Sequence, residues 1–191
     1  MALLDTQVAF LSNQAMNYLA TGEAPVRLGN THPNIVPYQT FRTRDGAIIL
    51  ACGNDNLFRK FCDVAGCGEL AIDSRFASNG KRVENRAALT ALLEALLAAR
   101  STRDWVTALE SAGVPNGPIN DLAQVFDEPQ VVARGMRVDV THPVVGKVPM
   151  VASPMRFSGT PIEYRLAPPT LGEHTESVLA RELGFDAVKL A

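Results

Sequence analysis

The sequence lacks several features that would assign it to a special class of protein. No apolar run approaches the roughly 20 residues that span a bilayer. The N-terminus has no basic leader, and Asp5 interrupts its apolar stretch, which excludes a signal peptide. The three cysteines, Cys52, Cys62 and Cys67, are an odd number without CxxC spacing. That pattern argues against a disulfide framework or a zinc site and favours reduced thiols in a cytoplasmic protein.

A basic surplus is also absent. The formal net charge of −2 at pH 7 gives no electrostatic case for binding nucleic acid or an anionic membrane. The chain has no P-loop, no GxGxxG and no recognisable Ser/His/Asp set. What is present is a globular composition, with 47% hydrophobic and 20% charged residues in 191 residues. This length suits one domain, or one small domain with appendages.

The chain begins inside a helical pattern. Apolar residues fall close to one face of a helix predicted over residues 3–20 and ended at Gly22. They are Leu3, Leu4, Val8, Leu11, Ala15 and Leu19. A helix this apolar packs against something, and nothing upstream is present to supply a partner. This leaves open that the chain is a piece of a larger one.

The loop at residues 27–38, reading RLGNTHPNIVPY, separates that helix from a predicted hairpin. Its prolines and glycines are too dense for a helix or a central strand. Gly29 can adopt a positive φ and lets a ligand approach the backbone. Asn30, Thr31 and His32 can donate or accept hydrogen bonds without a fixed charge. The composition is typical of a ligand-facing loop or of a rigid linker. The pattern alone favours the linker, because proline-rich connectors are common.

The remaining pattern predicts an α+β fold, in which a small antiparallel sheet is covered by helices. An Asp-Gly pair predicts a hairpin over residues 39–52, whose apolar second arm is expected to be buried on both faces. Helices are predicted at residues 54–64, 84–100, 102–111, 121–126 and 175–183, a second strand pair at 136–141 and 147–151, a rigid turn at 114–119, and an extended connector at 153–169. The sheet is expected to be fed by both hairpins and covered by the three middle helices. A long N-terminal helix and an extended C-terminal connector with a helix complete the predicted fold.

Few side chains are singled out for chemistry by their spacing. Asp5 is interpreted as an acid in the first turn that complements the helix dipole. His142 precedes a proline in a hairpin turn, where an exposed histidine is ordinary. His174 stands at the start of the last helix, where a structural hydrogen bond is the favoured interpretation. Gly172 precedes the same helix and could offer N–H groups to an anion, although any helix start can do so. His32 has the best claim to a ligand, because of its loop.

Eight short motifs, each different from the others, follow one another along the chain. They are GNTHPNIVPYQTF (residues 29–41), TRDG (43–46), RFASNGKRVENRAAL (75–89), GVPNGPI (113–119), EPQVVARGM (128–136), HPVVGKV (142–148), SPMRFSGTP (153–161) and PPTLGEHT (168–175). In this order they closely resemble the family III CoA-transferases. That family includes formyl-CoA transferase, the carnitine and bile-acid CoA-transferases and α-methylacyl-CoA racemase.

The resemblance covers only the C-terminal half of that family. Its members begin with a Rossmann-like large domain, which holds most of the CoA site and the aspartate that forms acyl-anhydride intermediates. Asp5 matches a helix position and not that aspartate. The resemblance therefore implies no catalytic residue in this chain. It implies CoA or acyl-CoA as a substrate and no covalently bound cofactor, and no metal site is expected.

The resemblance also implies where the chain meets its substrate. In the transferases a glycine-bearing loop after this helix moves over the active site, and Gly29, Asn30, Thr31 and His32 lie in the similar place. We therefore expect these four residues to form an active-site loop that binds substrate. Formyl-CoA transferase has a longer run of glycines there. Its absence argues against oxalate–formate specificity and favours dicarboxylic or branched acyl-CoAs.

The resemblance implies a division of the chain into three segments. Residues 1–37 would be a helix and linker from the large domain, residues 38–151 a small α+β domain, and residues 152–191 a connector and helix that return to the large domain. The family forms interlocked dimers, so the expected partner is a second copy or a separate large-domain chain in the cytoplasm. No nucleic-acid or membrane partner is expected.

The implied function is transfer of CoA between carboxylic acids through an aspartyl-CoA thioester of the enzyme. The chain alone is expected to be inactive, because the catalytic aspartate would lie in the other half. Two alternatives stay open. One is an acyl-CoA racemase of the same family, and the other is a catalytically inert binding or oligomerisation module.

Overall fold

The structure is a computed structural model that describes residues 1–190 and divides into two compact units. The first unit is Met1–Ile119, and the second begins at Asn120. Both units combine helices with antiparallel strands, which confirms the α+β class. Among the described residues, every helix is too short or too polar to cross a bilayer.

The first unit contains seven helices and three strands within the described residues. They are α1 (Leu3–Ala9), α2 (Ser12–Thr21), β1 (Tyr38–Arg42), β2 (Ala47–Ala51), α3 (Asp55–Ala65), α4 (Gly68–Ile72), α5 (Asn79–Glu84), α6 (Arg86–Leu97), α7 (Thr102–Ser111) and β3 (Asn116–Pro118). The three strands form one antiparallel sheet in the order β1-β2-β3.

The prediction of one long N-terminal helix is wrong. Ser12 has a φ of 42°, in the left-handed region, and this interrupts the helix between α1 and α2. The apolar periodicity runs across the break, so it gave no sign of it. Neither helix buries a residue, and Leu3 and Leu19 are 91% and 72% exposed. The apolar face therefore has no partner within this unit. Gly22 ends α2 with a φ of 74°, as predicted.

The predicted hairpin over residues 39–52 is confirmed. Strands β1 and β2 pair from Tyr38 opposite Ala51 to Arg42 opposite Ala47. The expectation that the second arm is buried on both faces is wrong. Ile48 and Leu50 are fully buried, whereas Ile49 on the opposite face is half-buried.

The predicted rigid turn at residues 114–119 is also wrong in part. Asn116–Pro118 forms β3, which pairs with β2 through Ile48 opposite Pro118 and Leu50 opposite Asn116. A proline near the end of an edge strand costs no ladder hydrogen bond on its outer side. The proline-rich motif is therefore compatible with a short edge strand.

Two helices of the first unit, α3 and α7, begin at capping side chains, close to the starts that the sequence predicts. The Asn54 side chain accepts a hydrogen bond from Leu57 N–H at the start of α3, and Ser101 Oγ accepts one from Asp104 N–H at the start of α7. These caps satisfy backbone donors that the first helical turn leaves unpaired. Trp105 is buried on the inner face of α7.

The helix predicted over residues 84–100 is present as α6, but it begins at Arg86 and ends at Leu97, and Glu84 is the last residue of α5. Asn85 leaves helical geometry, with φ −107° and ψ 25°, and its side chain donates to Lys81 O over 2.9 Å. An asparagine that bonds to nearby backbone competes with the helix, which is the physical reason for the break. Helix α6 then buries Leu89, Leu93 and Leu97.

The second unit contains four helices and two strands within the described residues. They are α8 (Leu122–Asp127), α9 (Pro129–Ala133), β4 (Arg137–His142), β5 (Gly146–Val151), α10 (Thr175–Leu183) and α11 (Ala187–Leu190). The second strand pair is confirmed, but β4 and β5 form a sheet of their own, so the single sheet fed by both hairpins is wrong. The predicted connector at residues 153–169 contains no helix or strand.

Candidate functional site

The candidate site is the loop that precedes β1. Gly29 has a φ of 61°, and the following Thr31 N–H donates to Leu28 O over 3.2 Å. A side chain at position 29 would meet open space, with no heavy atom within 4 Å of its Cβ. Glycine is therefore required here by the backbone conformation and not by crowding.

Polar side chains fold the loop back along β1. Asn30 Oδ1 accepts hydrogen bonds from both the backbone N–H and the hydroxyl of Thr40, each over 2.9 Å. The Thr31 hydroxyl lies 3.4 Å from Gln39 Oε1. His32 N–H donates to Tyr38 O over 2.9 Å. The predicted loop residues therefore lie together on the outer edge of the sheet, in a fixed arrangement.

His32 is held in one orientation. Its ring stacks on the Tyr38 ring at a centroid distance of 5.2 Å and an angle of 12°. Its Nδ1 atom accepts a hydrogen bond from Asn34 N–H over 3.1 Å. The proton of the neutral ring is therefore on Nε2. That nitrogen lies 3.5 Å from Nδ2 of Asn13, which is itself a donor and so does not accept the Nε2 proton.

Asparagine side chains join this loop to α2. Asn34 Nδ2 donates to Asn17 Oδ1 over 3.0 Å, and Asn17 Nδ2 lies 3.5 Å from Asn34 Oδ1. The polar side-chain groups where the loop meets α2 are thus amides, a hydroxyl and an imidazole. They can donate hydrogen bonds to an oxygen-rich ligand, but they include no carboxylate or thiol that could act as a nucleophile.

Three side chains that were not predicted from the sequence bind the backbone of the loop. Asn79, Arg82 and Arg86 all form hydrogen bonds to backbone atoms of residues 33–36. A signal was present in the sequence, because these positions continue the buried stripe of Leu89, Leu93 and Leu97 at helical spacing. Polar residues on such a stripe indicate a buried polar partner.

Two other candidate histidines lie in the second unit. His142 Nδ1 accepts hydrogen bonds from Val144 N–H and Val145 N–H over 3.0 and 3.3 Å, which fixes the β4–β5 turn. It is half-buried and not exposed as expected. His174 flanks α10 but makes no side-chain cap. Neither histidine is placed in an arrangement that indicates catalysis.

Close to Gly172, a carboxylate of the chain itself binds donors of Thr170 and not the N–H groups at the start of α10. Glu173 accepts hydrogen bonds from the Thr170 N–H and hydroxyl, over 2.7 and 3.1 Å. These two bonds, with smaller contributions from His174 and His142, hold the pKa of Glu173 below its ordinary value. A fixed negative charge at this turn repels an anion. Within residues 1–190 no cluster of three or more potential ligands could hold a metal ion.

Comparison with known proteins gives a consistent family. The sequence profile of CoA-transferase family III matches residues 1–175. A succinate–glutarate CoA-transferase of Agrobacterium fabrum is 46% identical over 180 residues, which is 94% of this chain and 45% of that protein. The human succinyl-CoA:glutarate CoA-transferase is 39% identical over 184 residues, 96% of this chain and 42% of that protein.

A solved structure gives the same result. The crystal structure of a CAIB/BAIF family protein from Brucella suis is 49% identical, with a TM-score of 0.79 over 95% of this chain and 47% of that one. The chain thus spans less than half the length of the relatives that it matches. The profile covers far more than half of the chain, and the fold agrees with it. The chain belongs to the family III CoA-transferases.

Proposed function

We propose that this chain works as the C-terminal part of an enzyme that moves CoA between carboxylic acids. The observation that carries the proposal is the loop at Gly29–His32, whose hydrogen bonds hold neutral donors at the edge of the sheet while no nucleophile is beside them. Such a loop suits a cover over a reaction whose nucleophile is supplied from elsewhere. The family assignment and the names of the relatives support the reaction class.

The proposed nucleophile is an aspartate outside this chain. Its carboxylate attacks the thioester carbonyl of the acyl-CoA donor, and CoA thiolate leaves. The thiolate then attacks the aspartyl carbonyl of the mixed anhydride, which releases the donor acid and forms an aspartyl-CoA thioester. The acceptor carboxylate displaces CoA thiolate from that thioester and forms a second mixed anhydride. The thiolate then attacks the acceptor carbonyl of this anhydride, whose C–O bond to the aspartate breaks. The products are acceptor-CoA and the free aspartate, with no net change in protons or electrons.

The loop's part is to exclude water and to donate hydrogen bonds. Both anhydride and thioester are hydrolysed if water reaches them, so transfer requires a closed and dry site. Gly29, Asn30, Thr31 and His32 form the part of that cover which this chain provides. His32 acts as a hydrogen-bond donor through Nε2 and not as a general base, because Nδ1 already accepts from Asn34 N–H.

The proposed substrates are dicarboxylic acids and their CoA thioesters. The relatives from Agrobacterium fabrum and human are named for succinate and glutarate, and one from Acetobacter aceti, 40% identical over 158 residues, for oxalate. Succinyl-CoA and glutarate are therefore the first pair to test. CoA enters as a substrate and not as a bound cofactor.

The assembly belongs to the same proposal. Residues 1–37 and 152–191 would pack on a Rossmann-like large domain, and residues 38–151 would form the small domain. The exposed apolar face of α1 and α2 suits such packing. The complete enzyme would be a cytoplasmic homodimer. This division of the chain stays a prediction.

The test joins the N-terminal part of the Agrobacterium fabrum relative to this chain. We expect the chimera to convert succinyl-CoA and glutarate to glutaryl-CoA, and this chain alone to form none, as followed by mass spectrometry. Transfer by the chain alone would overturn the placement of the nucleophile. A folded chimera without transfer would overturn the proposed function. Exchange of the α-proton of a branched acyl-CoA in D2O would then support a racemase, and its absence an inert module.

A further inference from the structure

Three polar side chains on one side of α5 and α6 bind the backbone of the loop. Asn79 Oδ1 accepts from Val36 N–H over 3.1 Å, and its Nδ2 donates to Asn34 O over 2.8 Å. Arg82 Nε donates to Val36 O over 2.6 Å. Arg86 Nη2 donates to Pro33 O over 2.6 Å. We call Asn79, Arg82 and Arg86 the loop clamp.

The loop clamp supplies hydrogen bonds that secondary structure does not. Residues 33–36 lie outside every strand and helix, and Val36 and Pro37 are buried. Buried backbone groups have to be paired, since an unpaired one costs free energy comparable to a lost hydrogen bond. Here the pairing comes from side chains of a segment more than 40 residues further along the chain. The shape of the loop is therefore set from α5 and α6.

Placing arginines at positions 82 and 86 costs desolvation free energy. Arg82 is completely buried, and burying a guanidinium carries a desolvation penalty that an apolar side chain would avoid. Arg86 has a buried Nη1 without a partner among the described residues. A stripe that continued with leucine would pack the core as well. What leucine could not do is hold the carbonyls of Pro33 and Val36 in fixed positions.

The clamped segment lies directly beside the candidate active-site residues. Pro33 follows His32, and Asn34 N–H is the donor that orients the His32 ring. A shift of the 33–36 backbone therefore moves both the ring and the amide pair between Asn34 and Asn17. The hydrogen bonds of the loop clamp in this region go to the backbone of residues 33–36 and not to His32. The influence of the loop clamp on the site passes through the backbone.

We propose that Asn79, Arg82 and Arg86 are positioning residues that set how well the Gly29–His32 loop excludes water from the reaction. This rests on the proposed function. The competing step is hydrolysis, in which a water oxygen attacks the aspartyl-CoA carbonyl, the C–S bond breaks, and CoA leaves as the thiol. The aspartate is regained without an acceptor having been used. A loosened loop increases that step at the expense of transfer.

The first test measures amide hydrogen exchange on this chain by itself and does not depend on enzymatic activity. We expect Arg86→Met to increase amide hydrogen exchange at His32 and Asn34 by about tenfold, because a hydrogen bond from a charged donor is lost. Asn34 N–H belongs to the peptide group whose oxygen Arg86 binds, whereas His32 N–H donates to Tyr38 O, so the His32 amide reports the loop beyond the clamped peptide. Arg86→Lys should restore part of the protection. Lys81→Met, at an exposed position on α5, is the matched control and should leave both amides unchanged. Unchanged exchange in Arg86→Met would overturn the clamp.

The second test uses the chimera with its N-terminal part. We expect Arg86→Met to raise the ratio of succinyl-CoA hydrolysis to glutaryl-CoA formation by about fivefold or more, with KM for succinyl-CoA little changed. A purely structural role would lower both rates in proportion to the folded fraction and leave the ratio constant, which overturns the proposal. If the unsubstituted chimera transfers no CoA, the proposed function fails and the water-exclusion role fails with it. The exchange experiment still reports the clamp separately.

Discussion

The Nη2 atom of Arg82 lies 2.8 Å from Oδ1 of Asp55, at the boundary between the core and solvent. The arginine side chain is completely buried, whereas the aspartate side chain is 41% exposed. The guanidinium also lies over the Phe58 ring, 4.5 Å from its centroid, and donates to Phe76 O over 2.9 Å. One side chain thus connects α3, the segment after α4, and the loop.

Replacement of Arg82 should be strongly destabilising. Arg82→Met leaves the carbonyls of Val36 and Phe76 without their donor, and we expect the free energy of unfolding to fall by about 3–5 kcal/mol. Asp55→Asn should cost about 1 kcal/mol, because the carboxylate is partly solvated and the amide keeps an acceptor oxygen. Urea unfolding measures both. The exposed Arg103→Met is the control. A loss for Arg82→Met no larger than for Arg103→Met would contradict the account.

The pH dependence of stability should include a contribution from Asp45. Its Oδ1 accepts from the Thr102 N–H and hydroxyl over 2.8 and 3.0 Å, which holds the pKa of Asp45 below its ordinary value of 3.8. A lowered folded pKa stabilises the protein above the unfolded value. That stabilisation is lost as the pH falls below 3.8 through the folded pKa. We therefore expect Asp45→Asn to lower the urea midpoint at neutral pH and to lower it less at about pH 3.

The control for this experiment is Glu110→Gln, an exposed acid on α7, the helix to which Thr102 belongs. It should shift the midpoint little at either pH. If Asp45→Asn lowered the midpoint equally at both pH values, the charge of Asp45 would not be the cause, and only the acceptor geometry would matter.

The cysteines should be unreactive while the chain is folded. Burial raises the pKa of Cys52 to about 12. The pKa of Cys62 is raised by its hydrogen bond to Cys67 and by burial, and that bond lowers the pKa of Cys67. All three side chains are buried. We expect an aromatic disulfide reagent at about pH 8 to modify none of them in the native chain, and all three after denaturation. Fast native modification would mean that this core opens.

Gly29 should not tolerate a side chain, although there is space for one. Its φ of 61° is strained for alanine, and we expect Gly29→Ala to lower the free energy of unfolding by about 1–2 kcal/mol. Gly80 also has open space around it but lies in α5 without a positive φ. Gly80→Ala should therefore be neutral or stabilising by up to about 1 kcal/mol. Equal effects of the two substitutions in denaturant melts would contradict the backbone argument.

The sequence predicted the elements whose conformation is determined by residues close to them along the chain. Asp45-Gly46 indicates a hairpin, and Asn54 and Ser101 indicate helix starts, because each acts on residues within one turn. Gly22 likewise ends α2 with a positive φ. These features need no information from elsewhere in the chain.

The errors have a different origin. The break at Ser12 and the strand at Asn116–Pro118 depend on backbone conformation and on a distant pairing partner, which apolar periodicity does not encode. For the site, the sequence placed Gly29–His32 in one loop but could not show that Tyr38 stacks on His32. The loop clamp was missed because its targets lie more than 40 residues away.

The pairing of β2 with β3 has a consequence for synthesis on the ribosome. Helices α3 to α7 are all made between the two strands, so the edge of β2 stays open until Asn116 has emerged. Contacts between distant residues form late, because closing a long segment costs entropy. A nascent chain that stalls before Asn116 therefore presents an unpaired strand edge containing Ile48 and Leu50, the kind of edge that pairs with other chains. The three residues of β3 cover that edge in the finished chain, so their addition marks the point at which aggregation through β2 is prevented.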